Sequence, residues 1–466
     1  MTAQPDTASR LRQRRDDLVK SWGIDRGIVL APAGLPVPVP GNDIYHDYHA
    51  HPEHAYLAGL SHPGAVLAFD PAEGWILFTP QRSVEELVWT NPNESFESQQ
   101  ARSGVDHVLD LRELGPWLER RRGEPVALLG HHDLHDNPGG YGLNSWAALE
   151  IPVDVELSGH CAQKISEARR AKDELELAAM RAAAEASVQG HFRGIRGVRP
   201  GMTERLLQVE IEAEFFRNGG DRTAYGSIVG GGPNGAVLHF TPTTRQFNDG
   251  EIILVDAGAE IDGYASDVSR TFPAGREFTP LQAELYDLVL RTQQRAIDNA
   301  GPGVEYKDLH LQASLDIATG LRDLDILRGD PQDLVDTDAH ALFFPHGLGH
   351  MLGLATHDAG GCLAGREPSD RFGLKYLRAD LPLQPGFVVT IEPGIYFIRA
   401  LLTDPARREQ YRDAVNWERV DTMLDFGGIR IEDDVHITET GAELLSGRLP
   451  RERKAIEELR REGLDA

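Results

Sequence analysis

The chain has 466 residues, 41% hydrophobic and 26% charged, with a formal net charge of −26. That suffices for two soluble domains or one unusually large one, and the acidic balance argues against nucleic acid or an anionic membrane as the main partner, since both need a basic footprint. Two cysteines, Cys161 and Cys362, leave no disulfide framework and point to a reducing compartment; the opening MTAQPDTASRLRQRRDDLVKSWG lacks a secretory apolar core and no run of about 18 apolar residues follows, so a cytoplasmic location is expected.

Residues 8–22 read as a short amphipathic helix with Leu11, Leu18 and Trp22 on one side. A Pro/Gly stretch, APAGLPVPVPGND (31–43), must be loop. Short apolar runs follow the first helix: IVLAP, GAVLAFD, GWILFTP and PVALLG. They alternate with the helical patterns SVEELVWT and LRELGPWLERRR, which predicts an α/β domain over residues 1–163. The charged stretch 163–195 then predicts one long helix with a solvated face, opening a second domain over 164–466. Thr203 is a candidate N-cap for a helix over 203–218, and further helices are expected at 279–300 and 305–324. From residue 224 onward β patterns dominate, so the second domain is expected to be α+β with antiparallel strands. The glycine-rich GSIVGGGPNGAVLH (226–239) lacks a phosphate-loop signature and reads as a loop leading to His239.

Acidic residues interrupt several apolar strands. In GEIILVDAGAEIDGYASDVSRTF, Asp256 and Asp267 are equidistant from the Ile261–Asp262 midpoint. An unbulged hairpin would set them opposite one another on one face, roughly 4.5–5.5 Å apart. Two such carboxylates repel unless one is protonated or a cation joins them. VVTIEPGIYF places Glu392 directly after four β-formers, and GIRIEDDVHIT puts Arg430 and Glu432 on one face. A lone buried glutamate is costly.

PHGLGHMLGLATHD contributes His346, His350 and His357. It is not a zincin helix: no glutamate lies between the first two histidines, and Gly347 and Gly349 disfavour helix. Four carboxylates, Asp256, Asp267, Glu392 and Glu432, together with His350 suit two divalent ions, whose charge they balance. Oxygen-rich ligation with one imidazole favours Mn²⁺ or a similar ion, and two such ions would share an activated hydroxide for hydrolysis.

VDAGAEIDGYASDVSRTFP, PHGLGHMLGLATHD, TIEPGIYF and FGGIRIEDDVHIT together resemble the pita-bread metallopeptidases: methionine aminopeptidase, aminopeptidase P, prolidase and the metal-free creatinase. The resemblance spans about 165–445, preceded by a creatinase-type N-terminal domain. It implies an α/β N-terminal creatinase-type domain and an α+β pita-bread domain with a curved antiparallel sheet. Residue by residue, it implies metal ligands at Asp256, Asp267, His350, Glu392 and Glu432, with Asp267 and Glu432 bridging two ions. The metal is expected to be Mn, with Co or Zn as alternatives. Glu392 is the implied general base, His357 the group that meets the substrate carbonyl, and His239 and His346 line the site. Arg430 lies beside the bridging glutamate and is implied to face substrate.

Local wording resembles prolidase. GLKYLRADLPLQPGFVVTIEPGIYFI carries Arg378, matching an arginine that grips the C-terminal carboxylate of a dipeptide. A stretch of about 30 residues between IEPGIYF and FGGIRIE resembles a prolidase insertion, HDAGG after PHGLGHMLG is prolidase-like, and Tyr225 matches a prolidase site tyrosine. The implied function is an Xaa-Pro dipeptidase acting on small peptides in a homodimer, with Trp89 matched to a residue lining the neighbouring subunit's site. The alternatives are aminopeptidase P, acting on longer Xaa-Pro peptides, and a catalytically silent binding protein, whose signature would be a lost ligand. In the N-terminal region, His46, His49, His51 and His54 replace the usual aminopeptidase P residues and read as a polar surface or dimer-contact loop. His436 reads as an exposed strand residue.

Overall fold

A computed structural model describes residues 7–59, 62–130 and 152–466. The first six residues of the N-terminal stretch and Leu60 of the histidine-rich run lie outside them. The chain divides into two compact units, Met1–Arg169 and Arg170–Ala466. Among the described residues, no helix is long and apolar enough to cross a membrane.

The first unit holds a five-stranded sheet of β1 (Ile28–Pro32), β2 (Val66–Asp70), β3 (Gly74–Thr79), β4 (His107–Asp110) and β5 (Val126–Leu128), in the order β4-β3-β2-β1-β5. The β1–β2 and β2–β3 pairs are antiparallel, while β3–β4 and β1–β5 are parallel. Both faces are covered, which is why the central strands read as continuous apolar runs. On one face Trp22, from the helix Thr7–Trp22, meets Phe69 and Trp75 at centroid distances of 6.2 and 5.9 Å. On the other, Trp117 meets Phe78 at 5.5 Å. The first helix buries the expected Leu11, Leu18 and Trp22, and also Arg15, which donates to the carbonyls of Leu57, Ser103 and Gly104.

Three expectations for this unit and the start of the next need correction. SVEELVWT forms helix only over Glu86–Trp89, leaving Trp89 exposed. The histidines do not all lie in a surface loop: His46 and His49 are exposed, but His51 and His54 are buried. Pro52 starts the helix Pro52–Ala58, which turns His54 inward so that Nδ1 lies 2.9 Å from the Ala31 carbonyl. Finally, the helix expected over 163–195 is two helices, Val155–Ala168 and Glu174–Gly197. Asp173 and Glu176 form a capping box that starts the second one afresh.

In the second unit every strand pair is antiparallel. The strands are β6 (Arg222–Thr223), β7 (Ile228–Gly231), β8 (Ile252–Asp256), β9 (Ala259–Ile261), β10 (Tyr264–Ala265), β11 (Ser269–Pro273), β12 (Val388–Ile391), β13 (Gly394–Tyr396), β14 (Gly428–Arg430), β15 (Asp433–Thr438) and β16 (Gly441–Leu444). They form the sheets β10-β9-β6, β11-β8-β7, β12-β15-β16 and β13-β14. Long helices at Glu204–Arg217, Pro280–Asn299 and Tyr306–Asp323 carry apolar faces into one core with these strands. Thr203 caps the first, accepting from the Leu206 N–H. The glycine-rich segment before His239 is not all loop: it contributes β7 and a 3₁₀ turn over Gly232–Ala236. His436 is not exposed; it lies buried in β15 with Nδ1 3.1 Å from Glu443.

The hairpin register also differs from expectation. Asp262 and Gly263 both take positive φ, 52° and 81°, the conformation an Asp-Gly hairpin turn requires. The turn is therefore centred one residue later than an Ile261–Asp262 midpoint. Asp256 pairs with Ser269, and Asp267 sits two residues along the partner strand, diagonal on the same face.

Candidate metal centre

Three pieces of backbone converge on one group of acidic side chains. The β8/β11 ladder carries Asp256 and leads into Asp267. In the ladder β12–β15, Ile391 pairs with Asp433, and in β13–β14, Gly394 pairs with Arg430. The two ladders share a register, which sets Glu392 against Glu432 at the break between them. Ser269 bridges to Glu432, joining the first ladder to this break. The third piece is the histidine segment, laid along β12: the Thr390 N–H donates to the His350 carbonyl (2.9 Å) and the Glu392 N–H to the Leu348 carbonyl (2.8 Å). This approach explains Gly349, where a Cβ would stand 2.2 Å from the Thr390 carbonyl oxygen.

The side chains are mutually held. The Tyr225 hydroxyl lies 2.5 Å from Asp256 Oδ1 and 2.6 Å from Asp267 Oδ1. A phenol has one proton, so it donates to one of these oxygens at a time. Arg430 donates to Asp256 Oδ2 (2.5 Å), Ser269 Oγ (2.8 Å) and the Tyr396 hydroxyl (2.8 Å), and its Nε is 3.8 Å from Glu432. Ser269 Oγ donates to Glu432 Oε2 at 2.7 Å. His350 Nδ1 donates to the Met351 carbonyl at 2.9 Å. That leaves Nε2 facing Asp267 Oδ2 (3.4 Å) and Glu392 Oε1 (3.8 Å), where it meets their negative charge with a proton or offers its lone pair to a cation.

The side chains of Asp267, His350, Arg430 and Glu432 are almost fully buried, while those of Asp256 and Glu392 are 12% and 17% exposed. Burial pushes the Glu392 carboxyl up to about 7, against the opposing pull of His350 and Arg430. Burial, with Asp267 beside it, carries Asp256 to about 6. Glu432 lies well above the carboxylate range, through burial and then its three acidic neighbours. Asp267 moves down despite its burial, held by His350 and Tyr225. Burial opposes a charged His350, but Asp267 and Glu392 carry its pKa upward. One guanidinium thus faces four carboxylates, three of them driven toward the neutral form. The donor set fits divalent cations, and Asp267, His350 and Glu432 bring ligand atoms within 4.8 Å of one another.

The remaining residues sort by position. His346 sits behind Glu392: its Nδ1 donates to the Gly347 carbonyl (2.8 Å) and its Nε2 accepts from the Tyr396 hydroxyl (2.8 Å). Burial and the Arg430 charge lower its pKa to about 3, so it is neutral. His357 is exposed, edge-on to His350 with ring centroids 4.5 Å apart. His239 and Arg378 are also exposed. Burial and the charges of Arg430 and Arg378 lower the His239 pKa, which sets these groups at one mouth.

Sequence reasoning passed over several contributors. Ser269 and Tyr396 orient Arg430 and Glu432. Asp434 accepts from Ser266 Oγ (2.7 Å) and the Asp267 N–H (2.9 Å), fixing the backbone under Asp267. Arg270 is fully buried, pairs with Asp433 at 2.8 Å, and donates to the Ser269 and Glu432 carbonyls. IRIEDDVHIT shows three successive acidic residues on an apolar strand, but Arg270 and Asp267, which meet Asp433 and Asp434, lie more than 150 positions away in the chain.

The family description "Metallopeptidase family M24" matches residues 178–439, and "Aminopeptidase P, N-terminal domain" matches residues 11–124. The Xaa-Pro aminopeptidase of Escherichia coli is 32% identical over 427 residues, 90% of each chain. The Xaa-Pro dipeptidase of Homo sapiens is 34% identical over 399 residues, 83% of this chain and 79% of that one. A structure of Escherichia coli aminopeptidase P in complex with substrate superposes with a TM-score of 0.80 at 30% identity, covering 99% of both chains. The chain belongs to metallopeptidase family M24, with an aminopeptidase P-type N-terminal domain.

Proposed function

We propose that this protein is an Xaa-Pro peptidase that works with two divalent metal ions, Mn²⁺ for preference, and cleaves dipeptides. Asp256, Asp267, His350, Glu392 and Glu432 would hold the ions. Bound there, the ions supply Lewis acidity and lower the pKa of water. Glu392, the most open carboxylate of the cluster, takes the proton of the attacking water and returns it to the departing nitrogen. That return matters because an Xaa-Pro bond is a tertiary amide whose nitrogen carries no proton of its own. His357 donates to the carbonyl oxygen as charge develops on it, and His239 lines the same mouth. His346, held neutral, supports Tyr396 and Arg430, and Tyr225 steadies the two aspartates.

The observation that carries the dipeptide reading is Arg378. Its guanidinium is exposed, makes no hydrogen bond or ion pair among the described residues, and depresses the pKa of His239. A free cation whose charge is felt at His239 suits a substrate carboxylate one residue beyond the scissile bond. A longer peptide places an uncharged amide there.

A second reading, release of the N-terminal residue from longer Xaa-Pro peptides, is supported by the likeness to Escherichia coli aminopeptidase P over nearly the full chain. Initial rates on Gly-Pro, Leu-Pro and Gly-Pro-Pro, with and without Mn²⁺, separate the two. Preference for Gly-Pro and Leu-Pro supports the dipeptidase, preference for Gly-Pro-Pro the aminopeptidase. No metal-dependent cleavage of any would defeat both.

A further inference from the structure

His357 and Arg378 lie at the two ends of one long irregular segment, with no helix or strand between them. Such a segment needs external restraint if its ends are to hold side chains in register with a substrate. The restraint comes from the first residues of the second unit. Arg170 Nε donates to the Gly360 carbonyl at 2.8 Å, and its Nη2 donates to the Cys362 carbonyl at 3.0 Å. Lys172 Nζ donates to Asp358 Oδ2 at 3.0 Å, with both side chains almost fully buried. Residues 170 and 172 thus engage residues 358, 360 and 362, every second residue after His357.

The grip reaches the far end of the segment. Arg170 brackets Gly361, where an added Cβ would stand 2.2 Å from the Arg378 carbonyl oxygen. The Asp380 N–H donates to the Gly361 carbonyl at 2.8 Å. At the near end, the Asp358 N–H donates to the Met351 carbonyl (2.9 Å), the same oxygen that accepts from His350 Nδ1. The gripping residues are themselves anchored: the Lys172 N–H donates to the Gly386 carbonyl (2.8 Å) and Ala171 bridges to Phe387, just before β12. A buried ion pair such as Lys172–Asp358 adds little net stability against a well-packed apolar alternative, so geometry is the more natural reason for it.

We propose that Arg170 is a positioning residue that holds the 357–378 segment in place and, through Gly361, sets where Arg378 meets the substrate carboxylate. The second clause rests on the carboxylate role given to Arg378 above; the first does not. Lysine cannot replace it, since one ammonium cannot make two divergent, in-plane bonds to carbonyls two residues apart.

The test uses the full chain with Arg170→Ala, Arg170→Lys, Gly361→Ala and Arg378→Ala. Arg170→Ala and Gly361→Ala are expected to raise KM for Gly-Pro about tenfold with kcat within about twofold, a loss of binding rather than of chemistry. Arg170→Lys should behave like Arg170→Ala. Hydrogen exchange read by mass spectrometry should quicken over 358–363 and 378–380 in the Arg170 variants, with the rest of the second unit unchanged. If exchange there is unchanged, the positioning role is overturned, whatever KM does. If Arg378→Ala raises KM but Arg170→Ala and Gly361→Ala do not, the link to Arg378 is overturned while the carboxylate role of Arg378 survives. If exchange quickens and Arg378→Ala leaves KM unchanged, the carboxylate role fails and the positioning role stands.

Discussion

Arg430 Nη2 lies 2.5 Å from Asp256 Oδ2, and it is the guanidinium that faces the whole cluster of Asp256, Asp267, Glu392 and Glu432. One positive charge against four carboxylates leaves a repulsion that bound cations would relieve. Thermal stability of chelated protein is therefore expected to rise on titration with Mn²⁺. Linkage sets the scale: at a hundred times Kd, binding adds about 2.7 kcal/mol per site. Scanning calorimetry with a metal titration checks this. A Tm indifferent to both chelator and Mn²⁺ would remove the cluster as a metal site.

Glu392 is the most open of the four carboxylates, and burial raises its carboxyl to about 7. Glu392→Ala is expected to lower kcat by at least about 10²-fold, the lower end of what a positioned base contributes. The fold should survive, because removing one of four repelling carboxylates relieves the metal-free protein. Circular dichroism and Tm report the fold, and single-substrate kinetics report kcat. A kcat near that of the wild type sinks the base assignment.

Much of this was legible in the sequence because the governing signals are local. The four apolar runs of the first unit are strands, and the polar residues that interrupt apolar strands meet in space. What was missed has particular causes. HVLD (107–110) forms β4 although it is only half-buried and four residues long, too little for a pattern. The Asp256–Ser269 register was misjudged by overlooking Asp262-Gly263, a strong turn signal that was present. The break before Glu174 was likewise written in Asp173 and Glu176 but hidden by the helical charge pattern on either side. Asp433, Asp434 and Arg270 are of another kind: their value lies in contacts between residues more than 150 positions apart, which no local pattern reports.

Arg378 is expected to matter for binding and for length selection. Losing a charge-assisted contact costs about 1.5–3 kcal/mol, so Arg378→Ala should raise KM for Gly-Pro by roughly 10- to 150-fold. Gly-Pro-Pro, which has no carboxylate at that point, should change far less, so the ratio of kcat/KM between the two substrates collapses. Steady-state kinetics on both peptides measures it. A ratio equal to that of the wild type would take Arg378 out of the specificity site.

The N-terminal unit should be sensitive to acid through His54. The ring is fully buried, and burial lowers its pKa from 6.5 to about 4, with the Ala31 carbonyl opposing. Between these values the unfolded chain binds a proton that the folded chain refuses. Stability from this residue is therefore intact above pH 6.5 and falls as the pH drops toward 4. The full loss is about 3 kcal/mol. His54→Asn keeps an N–H for the Ala31 carbonyl but does not titrate. The variant should start less stable at neutral pH and lose less on acidification, so the two curves converge. Urea midpoints between pH 7.5 and 4, followed by the fluorescence of Trp22, Trp75 and Trp117 in the same unit, measure the slopes. Parallel curves would show that His54 does not couple this unit to pH.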